Sequence, residues 1–376
     1  MTATMNRMEP AMGSAVRSAI DEALSRGEVG LQVAAYHRGE PVLDVSAGAM
    51  SVGGRKVDSD TIFWVASAGK VSTATALHVQ VERGLIDYDQ TIASIWPEFG
   101  VRGKDSFTVR DALTHRVGLA ELPGDATPEF LGDWEWMADR LARSAPSDDP
   151  ARRNAYHART WGYVVGEIAR RADPAGRSFE DLVRDEVHAP LGVSGVWHRL
   201  PAGVEERVAI MRGDILSGEP ATFTVRADHE INTPEYRDRI DPSGAWVTAR
   251  EAARLWAAYA QGGALDGTRL LAADRIETFL DRRACTFEAG SIAGPRAVIG
   301  AGGLMVGGPV PAHREVLGFG GGRVLWHPGA GGALGFADLD AELAVMICHN
   351  KFFDERHHAQ HPFAPLVRAV YADVAG

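Results

Sequence analysis

Lysine and cysteine are scarce in this sequence of 376 residues, which contains four lysines and two cysteines. The cysteines, Cys285 and Cys348, are too few for a disulfide scaffold, and their spacing matches no metal-binding motif. No apolar run approaches the length of a membrane span, and the N-terminal segment lacks the apolar core of a secretory signal. We therefore predict a cytoplasmic protein with buried, reduced thiols and no membrane association, metal or cofactor.

Positive charge is also in short supply. The chain has 39 lysines and arginines against 50 aspartates and glutamates, which gives a formal net charge of -11. A nucleic-acid-binding surface needs clustered positive charge, so we predict no nucleic-acid partner. The rest of the composition, 45% hydrophobic and 24% charged, is that of an ordinary globular protein. A chain of this length can form a large core that divides into two subdomains.

Both ends of the sequence have strand patterns, and the middle has helix patterns. A helix over residues 11–26 precedes two strands joined at Arg38–Gly39–Glu40, where we predict a hairpin. A helix that starts at Ser67 and ends at Gly84 opens the mainly helical middle of the chain. After residue 322 the sequence returns to strands separated by glycines, and it ends in a helix.

This order predicts an α+β fold. One antiparallel β-sheet is built from both ends of the chain and flanked by helices, with an inserted, mostly helical domain. We place the sheet domain at residues 1–65 and 241–376, and the helical domain at residues 66–240.

Ser67 and Lys70 form the pattern Ser-x-x-Lys at the predicted start of a helix. Residues three apart lie on one face of a helix, so the amine can approach the hydroxyl. A serine hydroxyl needs a base to become a nucleophile, and a lysine with the ordinary pKa of about 10.4 must lose about three units to act near pH 7. The alternative is a serine near a helix start with a solvated lysine, and the pair alone does not decide.

Two further segments contain candidate site residues. Tyr156 precedes a predicted helix, where its hydroxyl can point into a cleft, although packing of its ring on the core is the alternative. His327 precedes a glycine-dense turn at 329–332, and glycines within strand-like sequence indicate close approach of a ligand or another backbone. A structural histidine is the alternative there. We expect His115 to support a loop near the site.

Together these segments resemble serine β-lactamases and penicillin-binding proteins, and most closely the class C-like family VIII carboxylesterases, with related acyltransferases. SAGK, a tyrosine motif about 90 residues later and a glycine-rich strand motif about 170 residues further on follow the order of that family. The segments FTVRDALTHRVGL, YHARTWGYVVGEIARRA and SGAWVTAREAARLWAA resemble further family motifs, and HPGAGG stands in place of Lys-Thr-Gly. The resemblance extends from about residue 15 to about residue 372.

The resemblance implies the family's fold, with an active site at the junction of the sheet domain and the helical domain. It implies that Ser67 attacks an acyl carbonyl and that Lys70 and Tyr156 share the acid–base work. The backbone N–H groups of Ser67 and Ala330 are implied to form the oxyanion hole. The implied substrate-binding residues are His157, Trp326, His327 and Gly329.

Two departures from the family pattern change the expected substrate. Tyr156-His157-Ala158 replaces Tyr-x-Asn and lacks the side-chain amide that grips a substrate amide. His327-Pro328-Gly329 replaces Lys-Thr-Gly and lacks a permanently charged lysine. Both losses weaken recognition of carboxylate-bearing β-lactams and peptides. We therefore predict a serine hydrolase that cleaves carboxylic esters through a covalent acyl-Ser67 intermediate.

Other functions remain open at this point. An acyltransferase on the same scaffold would pass the acyl group of a small-molecule donor to an amine or alcohol acceptor. A β-lactamase, a D-amino peptidase and a non-catalytic binding module are the remaining alternatives.

Overall fold

The computed structural model describes residues 12–148, 155–213, 230–284, 298–307, 316–352 and 361–375. Cys285 lies outside these residues, and Cys348 is a fully buried free thiol. The α-helices are α1 (Ser14–Ser25), α2 (Lys70–Glu82), α3 (Ile92–Ile95), α4 (Val109–Leu113), α5 (Trp134–Arg143), α6 (Thr160–Ala172), α7 (Phe179–Val183), α8 (Pro234–Arg237), α9 (Ala249–Ala260), α10 (Ala273–Thr278) and α11 (Ala364–Ala375).

The strands are short except near the two ends of the chain. They are β1 (Gly30–His37), β2 (Glu40–Gly48), β3 (Phe63–Trp64), β4 (Val196–Trp197), β5 (Arg212–Gly213), β6 (Trp246–Val247), β7 (Ala264–Leu265), β8 (Thr268–Arg269), β9 (Arg282–Ala284), β10 (Val298–Gly300), β11 (Met305–Gly307), β12 (Val324–Pro328), β13 (Leu334–Asp338), β14 (Leu343–His349) and β15 (Lys351–Phe352). Short 3-10 turns cover Ala66–Gly69, Pro97–Phe99, Phe130–Gly132, Ala189–Leu191, Glu205–Arg207 and Glu230–Asn232, and a π-helical turn covers Arg184–His188.

The main sheet has eight strands in the order β2-β1-β14-β13-β12-β11-β10-β9, and each neighbouring pair is antiparallel. Its first hairpin turns at Arg38 and Gly39, with φ angles of 53° and 81°. Two left-handed residues suit the twist of a two-residue hairpin turn. Strand β1 pairs with β14 from Leu31 opposite His349 to His37 opposite Leu343. The predicted antiparallel sheet built from both chain ends is therefore confirmed.

The two faces of this sheet are covered by different helices. Helices α1 and α11 pack together over one face, and their apolar residues join Leu31, Val33 and Phe336 in one buried cluster. Helix α9 packs on the other face against β1, β13 and β14. Side chains that alternate along a strand therefore enter two different cores.

Helix α2 runs through the second core, where every residue from Lys70 to Val81 is buried. A helix buried on all sides needs small or apolar residues around its whole circumference, and the sequence KVSTATALHVQV satisfies this almost throughout. It packs against α6. In the described residues, no helix is long and apolar enough to cross a membrane. The domain boundaries drawn from the sequence stay a prediction.

Gly335 provides a test of the packing between α9 and the sheet. A Cβ atom at this position would overlap the indole nitrogen of Trp256 on α9. We expect Gly335→Ala to lower the free energy of unfolding by about 1–3 kcal/mol, because the helix must shift away from β13. Urea unfolding measures this change.

Gly124→Ala is the matched control for this substitution. A Cβ atom at position 124 meets no atom within 4 Å. Its effect should stay within about 0.5 kcal/mol, as for most surface substitutions. Equal effects of the two substitutions would contradict the described contact.

Candidate active site

Ser67 lies in a tight turn between a strand and a helix. Strand β3 pairs with β6, so that Trp64 lies opposite Trp246, and the chain then enters the 3-10 turn Ala66–Gly69. We predicted that the helix begins at Ser67, but the α-helix begins at Lys70. Ala66 has a φ of 43°, a left-handed conformation that is uncommon for a residue with a side chain. Such strain occurs where the surrounding structure holds a functional residue in place.

Lys70 is fully buried one turn after Ser67. Its Nζ atom lies 3.0 Å from Ser67 Oγ. It also donates to two backbone carbonyls, at 2.8 Å to Ala158 O and at 3.1 Å to Ser243 O. The amine therefore has three partners: the candidate nucleophile and one carbonyl from each of two distant segments.

Burial shifts the pKa of Lys70 strongly. Loss of hydration lowers this pKa from 10.5 to about 7, while the nearby carboxylate of Asp241 opposes the shift. A pKa near 7 gives a large fraction of neutral amine at neutral pH. The structure thus supplies the decrease of about three units that a lysine needs in order to act as a base.

Tyr156 lies beside the buried amine. Lys70 Nζ is 5.1 Å from the centroid of the Tyr156 ring. The Tyr156 hydroxyl lies 3.3 Å from His327 Nε2, and His327 Nδ1 lies 2.7 Å from the carbonyl oxygen of Pro328. A carbonyl can only accept, so Nδ1 carries the proton and Nε2 accepts from the tyrosine hydroxyl. Burial, followed by the charge of Lys70, lowers the pKa of His327 to about 3, so this imidazole is neutral.

His115 packs against Tyr156. The two ring centroids are 4.7 Å apart, and a Trp161 ring stacks on His115 at 5.7 Å. The backbone of His115 is left-handed, with a φ of 59°. Its Nδ1 accepts from the backbone N–H of His157 at 3.0 Å. His115 therefore orients both the tyrosine ring and the chain that follows it.

The β-lactamase family profile matches residues 11–368. The chain belongs to the β-lactamase family. Within this family it is 32% identical over 368 residues to the esterase/β-lactamase LipL of Mycobacterium tuberculosis, covering 92% of this chain and 80% of LipL.

Solved structures of similar proteins share the whole fold. A family VIII carboxylesterase superposes with a TM-score of 0.84 at 29% identity, covering 97% of this chain and 99% of the other. EstA from Arthrobacter nitroguajacolicus superposes with a TM-score of 0.79 at 26% identity, covering 98% of each chain. The α+β fold predicted from the resemblance is therefore confirmed.

Two of the expected substrate-binding residues are buried structural residues in this member of the β-lactamase family. His157 is only 1% exposed; its Nε2 accepts from the N–H of Leu119 at 2.8 Å, and its Nδ1 lies 2.6 Å from the carbonyl of Ala155. Both ring nitrogens are thus used within the protein. The expectation that His157 binds substrate is corrected, because its ring connects two loops.

Trp326 requires the same correction for a different reason. Its indole is completely buried in the cluster formed with α1 and α11. Because side chains alternate along β12, Trp326 and His327 point to opposite faces of the sheet. Trp326 therefore belongs to the core, whereas His327 lies on the side of Tyr156, and its contact with substrate stays a prediction.

Gly329 and Ala330 follow the end of β12. A Cβ atom at Gly329 would overlap the carbonyl oxygen of Val65, so only glycine allows the strand to approach the turn that contains Ser67. Ala330 comes next and is exposed. Contact of Gly329 with substrate and the oxyanion role of Ala330 stay predictions.

Sequence reasoning missed the backbone groups that hold Lys70. Ala158 attracted attention only because it lacks the amide found elsewhere in the β-lactamase family, yet its carbonyl accepts from Lys70. Ser243 enters the sequence analysis only as the first residue of SGAWVTAREAARLWAA, a segment that resembles a family motif. A carbonyl is present at every residue, so side-chain identity carries no signal for these contacts.

Lys70→Met should change how stability depends on pH. In the wild type, the amine is neutral in the folded protein above pH 7 but stays protonated in the unfolded chain up to about pH 10.5. Burying the charge therefore destabilises the folded protein. The full penalty applies below pH 7, and it disappears as the pH rises from 7 to 10.5. This penalty is about 5 kcal/mol, because each pKa unit corresponds to about 1.4 kcal/mol. Urea unfolding between pH 6 and pH 10 should show that the wild type gains stability relative to Lys70→Met as the pH rises above 7.

Lys56→Met is the control, because it removes an exposed lysine. A constant difference for Lys70→Met, or an equally large pH dependence for Lys56→Met, would contradict the described burial of the Lys70 amine.

Proposed function

We propose that the protein is a serine hydrolase that cleaves carboxylic esters through a covalent acyl-Ser67 intermediate. The observation that carries this proposal is the contact of 3.0 Å between Lys70 Nζ and Ser67 Oγ, made by a buried amine whose pKa is about 7. A serine beside a neutral amine has the base that a nucleophile requires.

The two carbonyls orient the Lys70 amine as a base. A neutral amine has two N–H groups and one lone pair, and the carbonyls of Ala158 and Ser243 accept the two N–H groups. The lone pair is then directed towards Ser67 Oγ. The serine proton moves to this lone pair as Oγ forms its bond with the acyl carbon.

Tyr156 is proposed to protonate the leaving group. Its hydroxyl gives a proton to the leaving alkoxide as the ester C–O bond breaks, and the proton held by Lys70 restores the hydroxyl. The neutral His327 accepts from the Tyr156 hydroxyl. This contact keeps the hydroxyl oriented as long as Tyr156 carries its proton. Water then attacks the acyl-Ser67 ester by the same steps in reverse, which releases the acid and regenerates Ser67.

The proposed oxyanion hole uses the backbone N–H groups of Ser67 and Ala330. The close approach of Gly329 to Val65 supports this proposal, because it brings the end of β12 next to the Ser67 turn. One such donor contributes about 2.7–4 kcal/mol to the transition state.

An ester is proposed in preference to a β-lactam because His327 carries no positive charge. The family's Lys-Thr-Gly lysine would offer a permanent positive charge to a substrate carboxylate, whereas the buried His327 is neutral. Ala158 likewise offers no side-chain amide. The name of LipL includes both esterase and β-lactamase, so both activities belong in the assay. Transfer to an amine or alcohol acceptor would use the same acyl-Ser67 intermediate and, like the cytoplasmic location, stays a prediction.

Ser67→Ala should abolish covalent labelling by a fluorophosphonate probe, because the probe reacts with an activated serine. Intact-mass measurement should show one adduct on the wild type and none on Ser67→Ala. Hydrolysis of a p-nitrophenyl ester should be lost in parallel and should exceed hydrolysis of a chromogenic β-lactam in the wild type.

Ser72→Ala is the matched control. Ser72 is buried on α2, the helix that begins with Lys70, and its hydroxyl bonds His188 Nε2 at 2.9 Å instead of Lys70. It should keep the adduct. An unlabelled wild type would favour a non-catalytic binding module, and an undiminished adduct on Ser67→Ala would place the nucleophile elsewhere.

Tyr156→Phe should lower kcat for the ester by about 10²–10⁴, which is the usual contribution of general acid–base catalysis. Steady-state kinetics with the same p-nitrophenyl ester measures the change. Tyr163→Phe is a suitable control, since it removes a hydroxyl that bonds the carbonyls of Leu131 and Ile240 instead. Near-normal turnover in Tyr156→Phe would remove Tyr156 from the mechanism.

A further inference from the structure

The turn at residues 241–244 lies between α2, which begins with Lys70, and α6, which follows the loop that contains Tyr156. Cβ atoms at Gly69, at the start of α2, and at Gly162, in the first turn of α6, would both overlap its backbone. Within the turn, Ser243 N–H donates to Asp241 Oδ1 at 3.0 Å. His198 Nδ1 lies 3.0 Å from Asp241 O and 2.7 Å from Gly244 O. The turn is thus held rigidly and touches both helices.

The Ser243 hydroxyl connects this turn to the segment that carries Tyr156. It donates to the carbonyl of Arg159 at 2.6 Å and accepts from the N–H of Gly162 at 3.0 Å. Gly162 is the third residue of α6, and the N–H groups of a first helical turn have no partner within the helix. Ser243 therefore caps α6, the helix that follows Tyr156, from a distant part of the chain.

The Ser243 carbonyl connects the same turn to the proposed base. It accepts from Lys70 Nζ at 3.1 Å, and Thr73 Oγ1, on the same helix as Lys70, donates to the neighbouring carbonyl of Pro242 at 2.6 Å. The second carbonyl that holds Lys70 belongs to Ala158, next to Arg159. Ser243 thus bonds Lys70 through its own carbonyl. Through its side chain it bonds Arg159, next to the residue that supplies the second carbonyl.

We propose that Ser243 is a positioning residue for Lys70: its hydroxyl sets the separation of the two carbonyls that direct the amine at Ser67. The inference rests on the proposed function of Lys70 as the base, but the geometry it describes can be tested without turnover. The Ser243 hydroxyl bonds Arg159 and Gly162 and acts on Lys70 only through the two carbonyls. Packing alone does not require a hydroxyl at this position, since alanine would fill nearly the same space.

The scarcity of lysine makes a direct test possible. The chain has four lysines, Lys56, Lys70, Lys104 and Lys351, so protein labelled with ¹³C at lysine Cε gives four signals whose pH titrations can be followed by NMR. Lys70→Met assigns the Lys70 signal. Tyr156, His115, His327 and Asp241 are the titratable groups described around Lys70, and Ser243→Ala keeps the backbone N–H that donates to Asp241 Oδ1.

Ser243→Ala should lower the pKa of Lys70, because a displaced carbonyl no longer stabilises the charged amine. The acidic limb of the kcat/KM profile for the p-nitrophenyl ester should move to lower pH with it. The plateau rate should fall by about 10- to 100-fold, because the lone pair is no longer held in line with Ser67. A purely structural role would lower the amount of folded enzyme without moving either titration.

Two controls accompany this variant. Lys104 is a second buried lysine, held by the carbonyls of Val101, Ala142 and Ser144, and its titration should not change. Ser72→Ala, which loses a buried hydrogen bond on the Lys70 helix, should destabilise the protein without moving the Lys70 titration. If Ser243→Ala does not fold, Ser243→Cys keeps a weak donor and acceptor of similar size and should show a smaller shift in the same direction.

The outcomes separate the inference from the proposed function. An unchanged Lys70 titration and an unchanged plateau rate in a folded Ser243 variant would overturn the inference. A shifted Lys70 titration supports the positioning by Ser243, even if the wild type forms no Ser67 adduct. The missing adduct would then refute only the proposed function.

Discussion

Burial of the Lys70 amine is the constraint on which the site depends. A charged amine is costly to remove from water, so the protein must either provide acceptors for it or allow it to lose its proton. This structure does both, with two backbone carbonyls as acceptors and a pKa near 7. These carbonyls come from residues 88 and 173 positions further along the chain. The same contacts that make burial tolerable also give the amine a direction.

The histidines around this amine add polarity without adding charge. Burial lowers the pKa of His327 to about 3 and that of His157 to about 4, and it holds that of His115 well below its usual range. Each of these three histidines uses a ring nitrogen in a hydrogen bond with the backbone. A second positive charge beside Lys70 would lower the pKa of its amine further. The neutral imidazoles therefore orient Tyr156 and its loop, and they leave the pKa of Lys70 near the pH at which a base is useful.

Close backbone approach brings these residues together. Gly69, Gly162 and Gly329 each lie where a Cβ atom would overlap another segment of the backbone. Through these glycines the Ser67 turn, the start of α6 and the end of β12 meet at one place. The site is therefore a product of where three glycines permit contact as much as of the reactive side chains.

Local features of the fold were readable from the sequence for physical reasons. The hairpin at Arg38 and Gly39 follows from residues that tolerate left-handed backbone, and the central strands follow from their apolar composition. The proximity of Ser67 and Lys70 follows from the geometry of a helical turn, even though the α-helix itself begins only at Lys70. Tyr156 required the family resemblance, because nothing local connects it with a serine 89 positions earlier.

The sequence by itself therefore determined the class of fold and which side chains are candidates for the reaction. Tertiary structure decided that Trp326 belongs to the core while His327 faces the site, because the side of a strand that is buried depends on which helices pack there. It also decided that His157 connects two loops and that Ser243 holds Lys70. Backbone carbonyls are the same at every residue, so their partners are chosen only when distant segments pack together.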